Sequence, residues 1–177
     1  TEAVTFGLRA GRSAATAAEG ASAPTLAELK KLAAPTLAAL VPRPSGRSEP
    51  NSAALINTLQ DVMQTHVGPF RTEAGLQHAL SALAELRDRA GETIPGGGPQ
   101  DPVRLDFLDL RNMLLAAEAV TRCAIARRES RGAHQREDFP AQDDAWTLNQ
   151  IIAWHDGAWT LATQPVQRLA AGQEEIA

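Results

Sequence analysis

The sequence predicts a mainly α protein: a three-helix bundle, preceded by one helix and a linker and followed by a short C-terminal β-hairpin. Three observations carry that expectation. Alanine and leucine dominate while aromatics make up 4% and tyrosine is absent, which favours helices over sheets. Three stretches between Asn51 and Glu129 place apolar residues at the helical period and are separated by Gly- and Pro-bearing connections. Near the C-terminus, β-branched and aromatic residues flank an Asp-Gly pair, the pattern of a tight hairpin.

Residues 1–19 read as the first helix, with Thr1 at its N-cap or first turn and Glu2 suited to the positive end of the helix dipole. Ala3, Gly7 and Gly11 recur one turn apart along one side. A glycine inside a helix costs about 1 kcal/mol relative to alanine, so two of them call for compensation, usually the close approach of another backbone. A helix that frays by itself is the plainer alternative. Residues 20–50 shift to Ala, Pro, Ser and Thr. A short helical pattern at Leu26, Leu29, Leu32 and Leu37 is expected to kink or end at Pro35. Pro42, Pro44, Gly46 and Pro50 then mark an extended linker and place a domain boundary near 45–50.

Residues 51–166 form the expected core domain. Asn51 or Ser52 can cap a helix with apolar positions Leu55, Ile56, Leu59, Val62, Met63 and Val67, ended by Gly68-Pro69. Thr72 can cap the next, whose apolar positions Leu76, Ala79, Leu80, Leu83 and Leu86 run to Ala90. Gly91–Pro102 reads as a flexible, exposed connection. From Val103 to Glu129 a long helix carries Phe107, Leu110, Leu114, Ala117, Thr121 and Ala124 on one face. A second row, Leu108, Leu115 and Ala119, widens that face and predicts a central position between the other two. Leu59, Met63, Leu80, Leu83, Leu110 and Leu114 are expected to be buried. Thr147–Trp154 and Ala158–Gln164 flank His155-Asp156-Gly157 as the hairpin, and the tail, 167–177, is expected to be poorly ordered.

A length of 177 residues suffices for one ordinary domain with a real core, and 44% hydrophobic with 21% charged residues is the balance of a soluble globular protein. A net charge of −4 gives no reason to expect a nucleic-acid partner. No apolar run approaches the roughly 20 residues of a membrane span; Met113–Val120 is interrupted by Glu118. Glu2, Arg9, Arg12 and Glu19 rule against a signal peptide, and a start at Thr1 without Met reads as a piece of something longer.

His66, His78, His134 and His155 show no metal-binding spacing, so solvated or core-edge histidines are the expectation and no metal site is assigned. The single Cys123 excludes an internal disulfide and reads as a buried structural thiol rather than a nucleophile. No phosphate-binding glycine motif occurs; Gly96-Gly97-Gly98 between prolines is linker.

The most informative stretch is Glu129-Ser130-Arg131-Gly132-Ala133-His134-Gln135-Arg136-Glu137-Asp138-Phe139-Pro140. Arg127 and Arg128 fit the last turn of the long helix, where cations suit the dipole, and Gly132 is placed to end it. That account does not reach Arg136, Glu137 and Asp138, which offer both signs at adjacent positions and suit a polar interface between domains. Arg131, His134, Arg136, Glu137 and Asp138 are therefore the interface candidates, with no catalytic or cofactor-binding residue among them. In the chain by itself this cluster is expected to be largely exposed, so that Arg136→Ala would barely change the melting temperature.

The order Ser130-Arg131-Gly132-Ala133-His134, one variable residue, then Arg136-Glu137-Asp138-Phe139-Pro140 resembles the C-terminal region of succinate dehydrogenase and fumarate reductase flavoprotein subunits. Thr1-Glu2-Ala3-Val4-Thr5-Phe6-Gly7-Leu8-Arg9-Ala10-Gly11 is similar to the helix that closes the FAD-binding domain in that superfamily. Leu59–Met63, Val67–Arg71 and Asp109–Leu114 look like its C-terminal helical domain, and Trp159-Thr160-Leu161 through Pro165-Val166 like its terminal strand. The resemblance implies hydride transfer between FAD and succinate or fumarate in the parent protein. It implies the FAD-binding domain of the same protein and an iron–sulfur subunit as partners. It further implies a cytoplasmic location, peripheral to the inner face of the membrane through partner subunits, without direct membrane insertion. None of the family's FAD or dicarboxylate motifs falls on this sequence, so FAD is expected in the parent and no cofactor in this chain, which is expected to be inactive alone. L-aspartate oxidase has a similar helical domain, but its charged run departs from Ala133–Asp138. The stretch Ala145-Trp146-Thr147-Leu148-Asn149 departs from the Asn-Trp and basic residues usual in the dehydrogenases. The rival reading is a freestanding helical interaction subunit without redox chemistry.

Overall fold

The computed structural model describes residues 2–39, 51–92, 94 and 101–166. The chain divides into two compact units, Thr1–Val41 and Pro42–Ala177. The linker prolines from Pro42 to Pro50, the glycine run at 96–98 and the tail from 167 lie outside the described residues.

In the first unit, α1 spans Glu2–Ala18 and α2 spans Leu26–Ala39. Thr25 and Glu28 form a capping box on α2: the Thr25 amide donates to Glu28 Oε2 at 2.8 Å and the Glu28 amide to Thr25 Oγ1 at 3.3 Å. The helix does not end at Pro35 but continues to Ala39. Its surroundings are exposed, so water can take the carbonyl that proline leaves without a partner. The apolar side chains of α1 stay exposed, Val4 at 76% and Phe6 at 62%. Beyond the backbone of α1 itself and the adjoining residues, nothing stands within 4 Å of where a Cβ would sit at Gly7 or Gly11.

The second unit holds the bundle: α3 (Ser52–His66), α4 (Glu73–Ala90) and α5 (Pro102–Ala126). Side-chain caps fix the starts. Asn51 Oδ1 accepts from the Ala54 amide at 3.0 Å, and Thr72 Oγ1 from the Gly75 amide at 3.1 Å. Asp101 Oδ1 accepts from the Val103 amide at 3.0 Å, with Pro102 at the first helical position. α5 packs against both α3 and α4 and touches the hairpin. The core is lined by Leu55 and Leu59 of α3, Leu76, Leu83 and Leu86 of α4, and Phe107, Leu110 and Leu114 of α5, all buried. Thr121, counted among the apolar positions, is buried because its hydroxyl donates to the Ala117 carbonyl at 2.7 Å. Met63 and Leu80, expected in the core, are only half-buried. Met63 packs at the margin of the cluster Val67, Leu76, Ala79 and Ala124. Leu80 borders an open space beside Trp159 and Leu161.

Ile94, in the connection expected to be exposed, is buried, and two further departures surround the charged segment. α5 stops at Ala126, three residues short of the expected Glu129, and Arg127 turns into extended backbone at φ −82° and ψ 104°. A parallel pair of two-residue strands, β1 (Phe70–Arg71) and β2 (Gln135–Arg136), ties the α3–α4 connection to the charged segment. Its bonds run from the Gln135 amide to the Pro69 carbonyl at 3.0 Å and from the Glu137 amide to the Arg71 carbonyl at 2.9 Å.

The C-terminal hairpin forms as expected from β3 (Leu148–His155) and β4 (Ala158–Pro165), with His155 opposite Ala158. Asp156 at φ 50° and Gly157 at φ 79° make the turn, the left-handed pair that matches strand twist. A single 3₁₀ turn, Asp144–Trp146, leads into it.

Candidate functional site

The residues singled out from the sequence gather where the N-terminus of α4 meets the C-terminus of α5. Ser130 organises the loop: its hydroxyl accepts from the Arg136 amide at 2.8 Å and lies 2.9 Å from the Phe139 carbonyl, to which it donates. Gly132 at φ +58° allows the tight return in which Arg131 and His134 exchange backbone hydrogen bonds.

Arg136 is the centre. The expectation of an exposed cluster does not hold for it: its side chain is 0% exposed. Nε donates to Asp138 Oδ1 at 2.8 Å, and Nη2 to Asp138 Oδ2 and to Glu73 Oε2, each at 2.8 Å. Nη1 donates to the Ala124 carbonyl at 2.9 Å and the Ile125 carbonyl at 3.2 Å. Those carbonyls belong to the last turn of α5, which has no helical donors left for them. The ring of Phe139 covers the guanidinium at 4.9 Å. Asp138 in turn accepts from the Glu73 amide at 3.0 Å, at the start of α4. A cation thus sits on the negative end of one helix and an anion on the positive end of another, joined by a bidentate pair. The hydrogen bond from Arg136 holds the Asp138 carboxyl at about 2.

Arg127 and Arg128 do not occupy the last turn of α5, which carries no basic residue. Arg127 turns away, donating to Glu129 Oε1 at 2.9 Å and to the Trp146 carbonyl at 2.5 Å. The helix ends early because its terminal carbonyls take Arg136 instead. Glu129, at 0% side-chain exposure, is gripped by Arg127 and Arg131 and by the Asp143 amide at 2.9 Å. Hydrogen bonding from Arg131, above all, lowers its carboxyl to about 2 against the opposing effect of burial.

His134 lies between two partners that fix its state. Nδ1 is 2.5 Å from Arg71 Nη1, and Nε2 is 3.0 Å from the Arg127 carbonyl. A guanidinium can only donate and a carbonyl can only accept, so the ring is the neutral tautomer with the proton on Nε2. Burial, and then the charges of Arg71, Arg136 and Arg127, lower its pKa below the ordinary value. Glu137 remains exposed, and Arg131 is half-buried.

The other candidates stand apart from this loop or at its margin. Cys123 is half-buried, and burial pushes its thiol pKa up, which keeps the thiol protonated. It lines a cleft of about 330 Å³ with Arg71, Val120, His134, Gln150 and Ile152. His66 and His78 meet edge to face at 4.7 Å. No group of three or more His, Cys, Asp or Glu among the described residues is placed to hold a metal ion. No described helix is long and apolar enough to cross a membrane. Sequence reasoning missed Glu73 and Arg71. Both adjoin Thr72, the cap of α4; Arg71 also closes the stretch Val67–Arg71 that resembles the family, which carried no role for it, and Glu73 had position alone.

The family model described as fumarate reductase flavoprotein C-terminal region matches residues 56–171. The chain belongs to that family. Among similar proteins, the L-aspartate oxidase of Rhodospirillum rubrum is 36% identical over 133 residues, 75% of this chain and 41% of the relative. The fumarate reductase flavoprotein subunit of Helicobacter pylori is 33% identical over 121 residues, 67% of this chain and 17% of that protein. In solved structures the fold is similar to E. coli quinol fumarate reductase FrdA, with TM-score 0.77 and 28% identity, covering 94% of this chain and 30% of that one. It is similar also to the Mycobacterium smegmatis Sdh1 complex in the apo form, with TM-score 0.72 and 34% identity over 93% of this chain and 28% of that one. The chain therefore spans between 17% and 41% of the length of these relatives.

Proposed function

We propose that this chain is the C-terminal helical domain of a FAD-dependent flavoprotein of the succinate dehydrogenase and fumarate reductase type, acting as a scaffold and inactive alone. The observation that carries the scaffold role is the Arg136 clasp. Its charged groups hold helix ends together, with Arg136 donating to Glu73, Asp138 and the α5 carbonyls. A network satisfied in this way gives rigidity and leaves no poised acid, base or nucleophile at its centre.

Residues 1–19 are then the last helix of the FAD-binding domain, 20–50 a linker, and 51–166 the helical domain. The exposed Val4, Phe6 and Leu8 and the open side at Gly7 and Gly11 support the first assignment, because α1 has its apolar surface still to bury. Arg131, His134, Glu137 and Asp138 orient the helical domain against the FAD-binding domain, with Arg136 holding the loop from behind. An iron–sulfur subunit is the further partner, and the assembly is cytoplasmic, peripheral to the membrane.

The starts of α2 to α5 do not fit the pyrophosphate of FAD. A helix N-terminus that binds phosphate presents free amides. Here the starts of α2, α3, α4 and α5 are closed by Thr25, Asn51, Thr72 and Asp101. These caps support the reading that flavin is held by another domain of the parent.

The test is to purify the 177-residue chain and the flavoprotein that carries it. The chain is expected to show no stoichiometric flavin absorbance and no succinate or fumarate turnover, and the flavoprotein to show both. Stoichiometric flavin on the chain alone would overturn the reading. The Rhodospirillum match, covering 75% of this chain, favours L-aspartate oxidase as the second reading. Oxidation of L-aspartate in place of succinate by the flavoprotein would select it.

A further inference from the structure

Six arginines in and around the clasp have carboxylate partners: Arg136 has Glu73 and Asp138, Arg127 and Arg131 share Glu129, and Arg87 and Arg122 share Glu118. Arg128 is exposed and lies over the Phe139 ring. Arg71 has no carboxylate partner among the described residues. Its Nε donates to the Gly68 carbonyl at 2.6 Å, and its Nη1 to His134 Nδ1 at 2.5 Å. These acceptors, and the Val67 carbonyl 3.3 Å from Nε, are neutral. Nη2 and the remaining Nη1 hydrogen make no hydrogen bond to a described residue, and the side chain borders the cleft formed by Val120, Cys123, Gln150 and Ile152.

A half-buried cation beside another cation, with water at its free edge, gains when an anion replaces that water. Burial, then repulsion from Arg136, lowers the Arg71 pKa, and no anion opposes either effect. The cleft is open to solvent, so a carboxylate reaching Arg71 from an apposed surface would shed competing water only as that surface covers it. The opening of about 330 Å³ admits one acidic side chain. It does not match a dicarboxylate, since the second guanidinium at its wall, Arg127, is already committed to Glu129 and to the Trp146 carbonyl.

We propose that the free edge of Arg71 receives the carboxylate of an aspartate or glutamate presented by the neighbouring domain of the same polypeptide. This rests on the reading of the chain as one domain of a larger flavoprotein. The contact would neutralise Arg71 and, through it, relieve the repulsion on a protonated His134, linking the charge state of the histidine to domain docking.

Two measurements test it. In the 177-residue chain, the Arg71 side-chain and His134 ring signals are followed by nuclear magnetic resonance during titration with sodium acetate, against sodium chloride at equal ionic strength. Acetate should give a saturable shift and raise the His134 pKa, and Arg71→Gln should abolish both. Identical responses to acetate and chloride would overturn the proposal. In the complete flavoprotein, Arg71→Lys places an amine at the same edge, and a zero-length carbodiimide should couple position 71 to an acidic residue outside this chain. Coupling only within the chain, or none in protein that retains flavin, would overturn the proposal while leaving the domain reading intact. Failure of the domain reading would register separately, as flavin bound by the isolated chain.

Discussion

Arg136 closes the C-terminal end of α5 by donating to the Ala124 carbonyl at 2.9 Å, from twelve residues further along the chain. The same guanidinium reaches Glu73 at the start of α4, so one side chain joins two helices that share the core. Removing it would strand the α5 carbonyls, while Glu73 and Asp138, 41% and 31% exposed, would pass to water. Arg136→Ala should lower the stability of the isolated chain by about 1–3 kcal/mol, the cost of buried acceptors left without a donor. Arg136→Lys should recover only part of that, because an ammonium cannot make the fork to Asp138. Chemical denaturation of the three proteins compares them directly, and an unchanged midpoint for Arg136→Ala would show the clasp to be dispensable.

Acid should unfold the chain through Glu129 and Asp138. Their folded values of about 2 lie below the ordinary 4.5 and 3.8. The unfolded chain therefore binds protons first as pH falls, and stability present above about pH 4.5 declines towards pH 2. Glu129→Gln should flatten the decline of melting temperature with pH in that window. A slope equal to that of the unsubstituted chain would exclude Glu129 as a contributor.

His134 acts at higher pH with the same sign. Its folded pKa is depressed from 6.5, so above that value the ring is neutral in both states and contributes no slope. Below it the unfolded chain takes up the proton first, and stability falls until pH passes the folded pKa. Ring nitrogen shifts should show the Nε2–H tautomer at neutral pH. An imidazolium at pH 7 would contradict the contacts from Arg71 and Arg127.

Leucines of the bundle should dominate its stability. Leu83→Ala or Leu110→Ala, at 1% and 0% exposure, should each cost about 2–5 kcal/mol. Leu32→Ala, on the exposed face of α2, should stay within about 0.5 kcal/mol. Equal effects at the two kinds of site would mean that the first unit contributes to the same cooperative core.

The hairpin depends on left-handed backbone at its turn. Gly157→Ala at φ 79° should cost about 1–2 kcal/mol. The loss should register as faster amide exchange in β3 and β4 while the bundle stays protected. Unchanged protection in the strands would remove the turn as their organiser.

Local chemistry settled much of this protein from the sequence. Apolar periodicity fixed α3, α4 and α5, and the side chains of Asn51 and Thr72 marked two starts, because a cap and its amide lie within three residues. Asp156-Gly157 likewise specified its own turn. Tertiary structure decided where α5 ends and what the charged run does. Gly132 and two nearby arginines made a sound local stop signal, yet the helix yields to Arg136, which arrives through the β1–β2 pairing. That pairing involves two residues on each side, too few to leave a periodic trace. The burial of Arg136 required Glu73, 63 residues away in sequence. A charge alone reads as exposed; only the fold supplies the distant partner that allows it inside.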